Sequence, residues 1–234
     1  MANTRTTLPA AISASEFHLP VIFDLGATFA FALTGALAAI KRGYDIVGVF
    51  FLALASGLGG GLIRDGVFIP GTGPTPLLAD PRYILVVVGA TVFGALFWTR
   101  VKHLHRLIAV LDAVGLGAYA VFGTHKALTH DLAVPAAILV GVINAVGGGL
   151  LRDIITREEP LVFKPGQFYV LTAFGGAVTF VFLAVYLEMH PTQAGLAAIA
   201  ITFIFRALSI AFNWRTTPFR AEAAGARPNS SDAS

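Results

Sequence analysis

Cysteine is absent from the 234-residue chain, and charge is scarce. Without a thiol there is no disulfide, no cysteine nucleophile and no cysteine-ligated metal, and the redox compartment stays open. Charged residues make up 12% of the chain, whereas soluble domains carry roughly 25%. Catalytic signatures are missing as well: no Gly-x-Ser-x-Gly elbow, His-Glu-x-x-His zinc motif or Gly-x-x-x-x-Gly-Lys phosphate loop occurs. The six histidines form no ligand pair at helical spacing in a polar cleft, and His103 and His105 fall in a basic, solvated stretch. No enzyme, resident cofactor or metal is expected. A sequence pI near 9.4 would suit nucleic acid. Here the basic residues border apolar runs, where membrane topology accounts for them, so no nucleic-acid partner is expected.

What fills the chain is apolar: 56% of residues are hydrophobic and the mean hydropathy is +0.77. Seven runs, residues 20–40, 46–68, 83–99, 107–128, 132–155, 168–187 and 192–214, approach or exceed the about 20 helical residues that a hydrocarbon core demands. The fold class predicted is an all-α membrane protein with seven transmembrane helices in one membrane domain, residues 19–215. Residues 1–18 read as a mobile leader without the marks of a secretory signal. Residues 216–234, polar and small, read as a disordered tail. Ten Lys and Arg fall in the connections after runs one, three and five and in the C-terminal segment, against Arg5 and Arg82 on the other side. That bias predicts a cytoplasmic C-terminus and an outer N-terminus.

One stretch occurs twice. Gly59-Gly60-Gly61-Leu62-Ile63-Arg64-Asp65 returns 88 residues later as Gly147-Gly148-Gly149-Leu150-Leu151-Arg152-Asp153. At the same offset Asp24 matches Asp112, Gly35 matches Gly123 and Ala39 matches Ala127, and after small length changes Tyr83 and Gly89 align with Tyr169 and Gly175. Each copy holds three spans, an odd number, so the second must enter the membrane upside down: two inverted three-helix repeats plus a seventh helix, with a path expected at their interface.

Glycine costs about 1 kcal/mol against alanine in a helix, so Gly59, Gly60, Gly61 and Gly147, Gly148, Gly149 predict a kink or break lining that path. The competing reading is close packing of helices through small residues. Arg64 and Asp65 share a helix face with Gly61, as Arg152 and Asp153 do with Gly149. Each pair is either a structural ion pair or the charged mouth of a hydrated path. Asp24 and Asp112 suit a first-turn acid or an interior partner for the arginines. Lys126 either snorkels outward or sets an electrostatic gate at the outer entrance. Arg206 lies deep in the last run and calls for Asp112 or Asp153 as partner, while Ser56, Asn144 and Tyr119 supply uncharged polar groups.

These residues carry a resemblance. Seven spans with Gly-Gly-Gly-Leu-x-Arg-Asp in the second and fifth are similar to the prokaryotic branch of the trimeric intracellular cation (TRIC) channel family, and the likeness covers roughly residues 20–214. The resemblance implies a homotrimer with one pore per subunit in a bacterial inner membrane, lined by the kinked second and fifth helices. It implies monovalent cations, K+ or Na+, as the permeant species. Animal members bind phosphoinositide through basic residues around span four, where this chain has Lys126 alone; a bound phospholipid is carried over on that basis only. Bacterial relatives of the domain family are named glycine transporters. The alternative implied is therefore a small-solute transporter that uses the same mid-membrane site by alternating access.

Overall fold

A chain in hydrocarbon must satisfy its own backbone, which helices do within a single segment. In the computed structural model, which describes residues 19–69, 71, 75–100, 104–164, 168–212 and 214, the regular elements among the described residues are all helical. They are α1 (Ile22–Lys41), α2 (Ile46–Ile63), the short α3 (Pro76–Ala79), α4 (Pro81–Phe97), α5 (Leu104–Thr129), α6 (Val134–Ile155), α7 (Tyr169–Val181) and α8 (Pro191–Ala211). Wider π-type turns prolong α2 over Arg64–Phe68 and α7 over Phe182–Tyr186. The proposed leader, residues 1–18, and tail, residues 216–234, lie outside the described residues.

Local chemistry sets the helix ends. Asp45 and Asp80 cap α2 and α4, accepting from the backbone N–H of Gly48 at 2.8 Å and of Arg82 at 2.9 Å. Proline opens α4 and α8, where its missing N–H costs nothing. The first inter-helix turn is a Schellman motif: Tyr44 N–H reaches the Ala39 carbonyl and Gly43 N–H the Ile40 carbonyl, with Gly43 at φ 75°. The same pattern closes α5 and α6, where Asp131 and Arg157 take the left-handed conformation.

Among the described residues, six helices are long and apolar enough to cross a membrane. The third expected span coincides with α4, whose 17 residues rise only about 25 Å against a core of about 30 Å. Helix α1 packs on α2 and α4, while α5 packs on α6, α7 and α8. Buried Leu37, Leu52, Leu58 and Val87 fill the first group, and Val121, Val140, Phe180 and Val185 the second. A third cluster, with Phe31, Leu116, Tyr119 and Tyr169, joins them where α1 meets α5 and α6. The exterior is apolar too: Leu85, Val88, Val92, Phe93 and Leu96 of α4 are all exposed. In water so large a patch would drive association; against lipid it is the matching surface.

Candidate functional site

The two glycine triplets meet. A methyl on Gly60 would run into the carbonyl oxygen of Asn144, and one on Gly148 into that of Ser56. On Gly147 it would stand 2.9 Å from the Cα of Gly60. Ser56 and Asn144 are themselves 88 residues apart, so the contact is reciprocal between the copies. Of the kink or break expected at the triplets, the break is absent. Both α2 and α6 run as regular helix through their glycines, and the wider turn of the first copy starts only at Arg64. The physical reason is that glycine's helix cost is offset by the backbone approach it permits, as in other small-residue crossings.

On one side of the crossing lies a buried charge set. Arg64, 1% exposed, donates from Nε to Asp65 at 2.7 Å and places Nη1 3.6 Å from Asp24. The other oxygen of Asp24 accepts from the Tyr83 hydroxyl at 2.6 Å. Lys126 comes from the end of α5 and donates to both oxygens of Asp65, at 2.8 and 2.9 Å. Its side chain is 16% exposed, the most open of the set's charges. Asn144 links this set to the crossing, its amide nitrogen donating to the Tyr119 carbonyl at 2.8 Å while its oxygen faces Arg64 Nη1 at 3.5 Å.

The second copy builds the corresponding set. Arg152 donates to Asp153 at 2.9 Å, to Asp112 at 3.2 Å and to the Thr34 hydroxyl at 3.1 Å. The Tyr169 hydroxyl and the Asp112 carboxylate both border Gly149. Arg206 of α8 stacks its guanidinium over the Tyr169 ring at 4.9 Å and lies within the field of Asp112. Each set groups two carboxylates with two cations: Asp24 and Asp65 form ion pairs with Arg64 and Lys126, while Asp112 and Asp153 form ion pairs with Arg152, and Arg206 lies within the field of Asp112. Neutrality matters because an uncompensated charge at such burial costs several kcal/mol, roughly 3–5 when one partner of a pair is removed.

The two arginine–aspartate pairs are thus buried among helices, as structural ion pairs. Asp24 is both a first-turn acid of α1 and an interior partner. Asp112 is not a first-turn acid: α5 begins at Leu104, earlier than the run at residue 107 implied, so Asp112 sits two turns in. Tyr119 is buried, hydrogen-bonded to Thr28 at 2.8 Å and to the carbonyl of Gly57, and stacked on Phe31. The Ser56 hydroxyl is buried with no hydrogen-bond partner in the described structure. Sequence reasoning gave no role to Tyr83 or Tyr169. The tyrosines carried a signal, since the repeat aligns them inside apolar runs.

Comparisons with known proteins converge. Residues 21–99 and 109–185 match the family model described as Glycine transporter. A solved TRIC trimeric intracellular cation channel orthologue from Rhodobacter sphaeroides is 34% identical and superposes with a TM-score of 0.77, over 82% of this chain and 97% of that one. A UPF0126 membrane protein of Deinococcus radiodurans is 31% identical over 77% of this chain and 83% of its own length. The UPF0126 inner membrane protein YadS of Escherichia coli is 29% identical over 84% and 94% respectively.

Proposed function

The chain belongs to the TRIC channel family, the domain family described as Glycine transporter, and from that premise we propose that it is a homotrimeric, potassium-permeable channel with one pore per protomer. It is a multi-pass integral membrane protein of a channel family rather than an enzyme. In this reading α4 is the seventh span beside the six longer helices. The chain then forms two inverted three-helix repeats, α1, α2, α4 and α5, α6, α7, with α8 added. It lies in a bacterial inner membrane, N-terminus outside and C-terminus inside, in keeping with the ten-to-two bias of basic residues.

The observation that carries the reading is the reciprocal Gly60–Gly148 crossing bracketed by two neutral charge sets. Backbone approaches backbone there, and in this reading the path is closed at that level. Parting α2 from α6 would uncover the carbonyl oxygens of Ser56 and Asn144, ligands that replace the water of a monovalent cation. Lys126 is the gate of this scheme. Its ammonium holds both oxygens of Asp65 and so competes for them with a permeant cation.

Purified protein in planar bilayers tests the proposal. Unitary currents in potassium chloride, with a reversal potential that follows the K+ gradient, are expected. No currents, together with saturable glycine uptake into vesicles, would replace the channel by the transporter. Chemical cross-linking should stop at a three-subunit product; a dimer or monomer ends the trimer reading.

A further inference from the structure

Between α7 and α8 runs a half-open groove of about 340 Å³, walled by Phe168, Leu171, Gly175, Thr179, Ile201 and Phe205. Its volume lies at the small end of ligand sites, roughly 300–1,000 Å³. Three threonines also line it, and none offers a free hydroxyl proton. Thr172 donates to the Phe168 carbonyl, Thr179 to that of Gly175 at 2.7 Å and Thr202 to that of Ala198 at 2.6 Å. A carboxylate or other acceptor would shed water here and find no hydroxyl proton in return, and an ammonium would find only hydroxyl oxygens. An alkyl chain loses nothing. The volume is spread along α7 from Phe168 to Thr179, a rise of about 16 Å, so the groove is too thin for a helix about 10 Å across.

One end of the groove is marked. The rings of Phe168 and Phe205 pack on Trp214 at 6.1 and 5.5 Å, an aromatic cluster of the kind found at membrane–water boundaries. Lys164 precedes Phe168 by only four residues, which ties a basic side chain to that end of the groove. Basic residues at the boundary end of a cleft between membrane helices suit a phosphate headgroup. We infer that the α7–α8 groove holds an acyl chain of one anionic phospholipid, whose headgroup is drawn to Lys164 beside the Phe168–Trp214 end.

Gly175 supplies a clean test, because a Cβ there meets nothing within 4 Å and a leucine fills the groove without disturbing the packing behind it. Gly89 of α4 is equally open and lies outside the groove, so Gly89→Leu is the control. Delipidated full-length protein is incubated with phosphatidylglycerol or phosphatidylcholine, and native mass spectrometry counts adducts per protomer. Wild type and Gly89→Leu should retain one phosphatidylglycerol, about fivefold over phosphatidylcholine; Gly175→Leu should lose it at least tenfold; Lys164→Gln should lose the headgroup preference. Undiminished binding by Gly175→Leu, or an unchanged preference in Lys164→Gln, overturns the inference. So does a Gly175→Leu protein that falls apart into monomers with its lipid retained, which would mean that a second copy occupies the groove. Adducts are counted without reference to current, so failure here and failure of the channel proposal are separate results.

Discussion

Replacing Gly60 or Gly148 with alanine adds one methyl where the structure puts a carbonyl oxygen of the facing helix. Within a helix the change itself is favourable by about 1 kcal/mol. Overpacking costs typically 1–3 kcal/mol, and here the obstacle is backbone, which has no rotamer to retreat into. The upper end of that range applies, leaving each variant about 1–2 kcal/mol less stable than wild type. Two controls calibrate the result. Gly175→Ala meets nothing within 4 Å and should gain up to about 1 kcal/mol. Gly61→Ala meets Cδ1 of Leu77 at 2.6 Å, the far end of a flexible side chain, and should come out near zero. Reversible unfolding in mixed micelles, followed by circular dichroism, gives the order Gly175→Ala, Gly61→Ala, then the two crossing variants. The double variant should lose less than the sum, since either methyl alone already forces the helices apart. Gly60→Ala as stable as Gly175→Ala would falsify the crossing. Bilayer currents add a functional readout: the larger Gly60→Leu and Gly148→Leu should abolish flux.

Lys126→Met leaves Asp65 with Arg64 as its only cation. The loss should be about 1–2 kcal/mol, below the roughly 3–5 of a fully buried pair because solvent reaches this end. Adding Asp65→Asn should restore part of it, and channel recordings should show altered open probability; wild-type gating and stability together refute the gate. Asp112→Asn removes a carboxylate paired with Arg152 at 3.2 Å and close enough for its charge to act on Arg206, so unfolding should show a loss of about 3 kcal/mol or more; a neutral effect would mean that the second set is not a charge network. In the connections after α1 and α6, Arg42 donates to Glu158 at 2.8 Å and holds its carboxyl below the usual range. A depressed carboxylate stabilises above its unfolded pKa, about 4.3, and that stability fades as pH falls through the lower folded value. The pair is exposed, so Glu158→Gln should cost only about 0.2–1 kcal/mol at pH 7. The two melting curves should converge near pH 3, and a gap that widens on acidification reverses the sign argued here.

Much of this protein is written in one dimension. Apolar runs long enough for a membrane dictate helices, because no other segment satisfies its backbone alone in lipid. The offset of 88 paired Asp24 with Asp112 and Arg64 with Arg152, and a small length change paired Tyr83 with Tyr169, before any of them had a neighbour. Placement in space was a different matter. Hydropathy reports depth and length but not helix rotation, and rotation decides that Lys126 reaches back 61 residues to Asp65. No repeat arithmetic could find that contact, since the matching position is Ala38, and Arg206 comes from a helix outside the repeat. The glycine triplets show the division most sharply. Propensity alone argues for a broken helix. Only the facing backbone of the other copy, close enough that no Cβ fits, makes the unbroken helix the better structure.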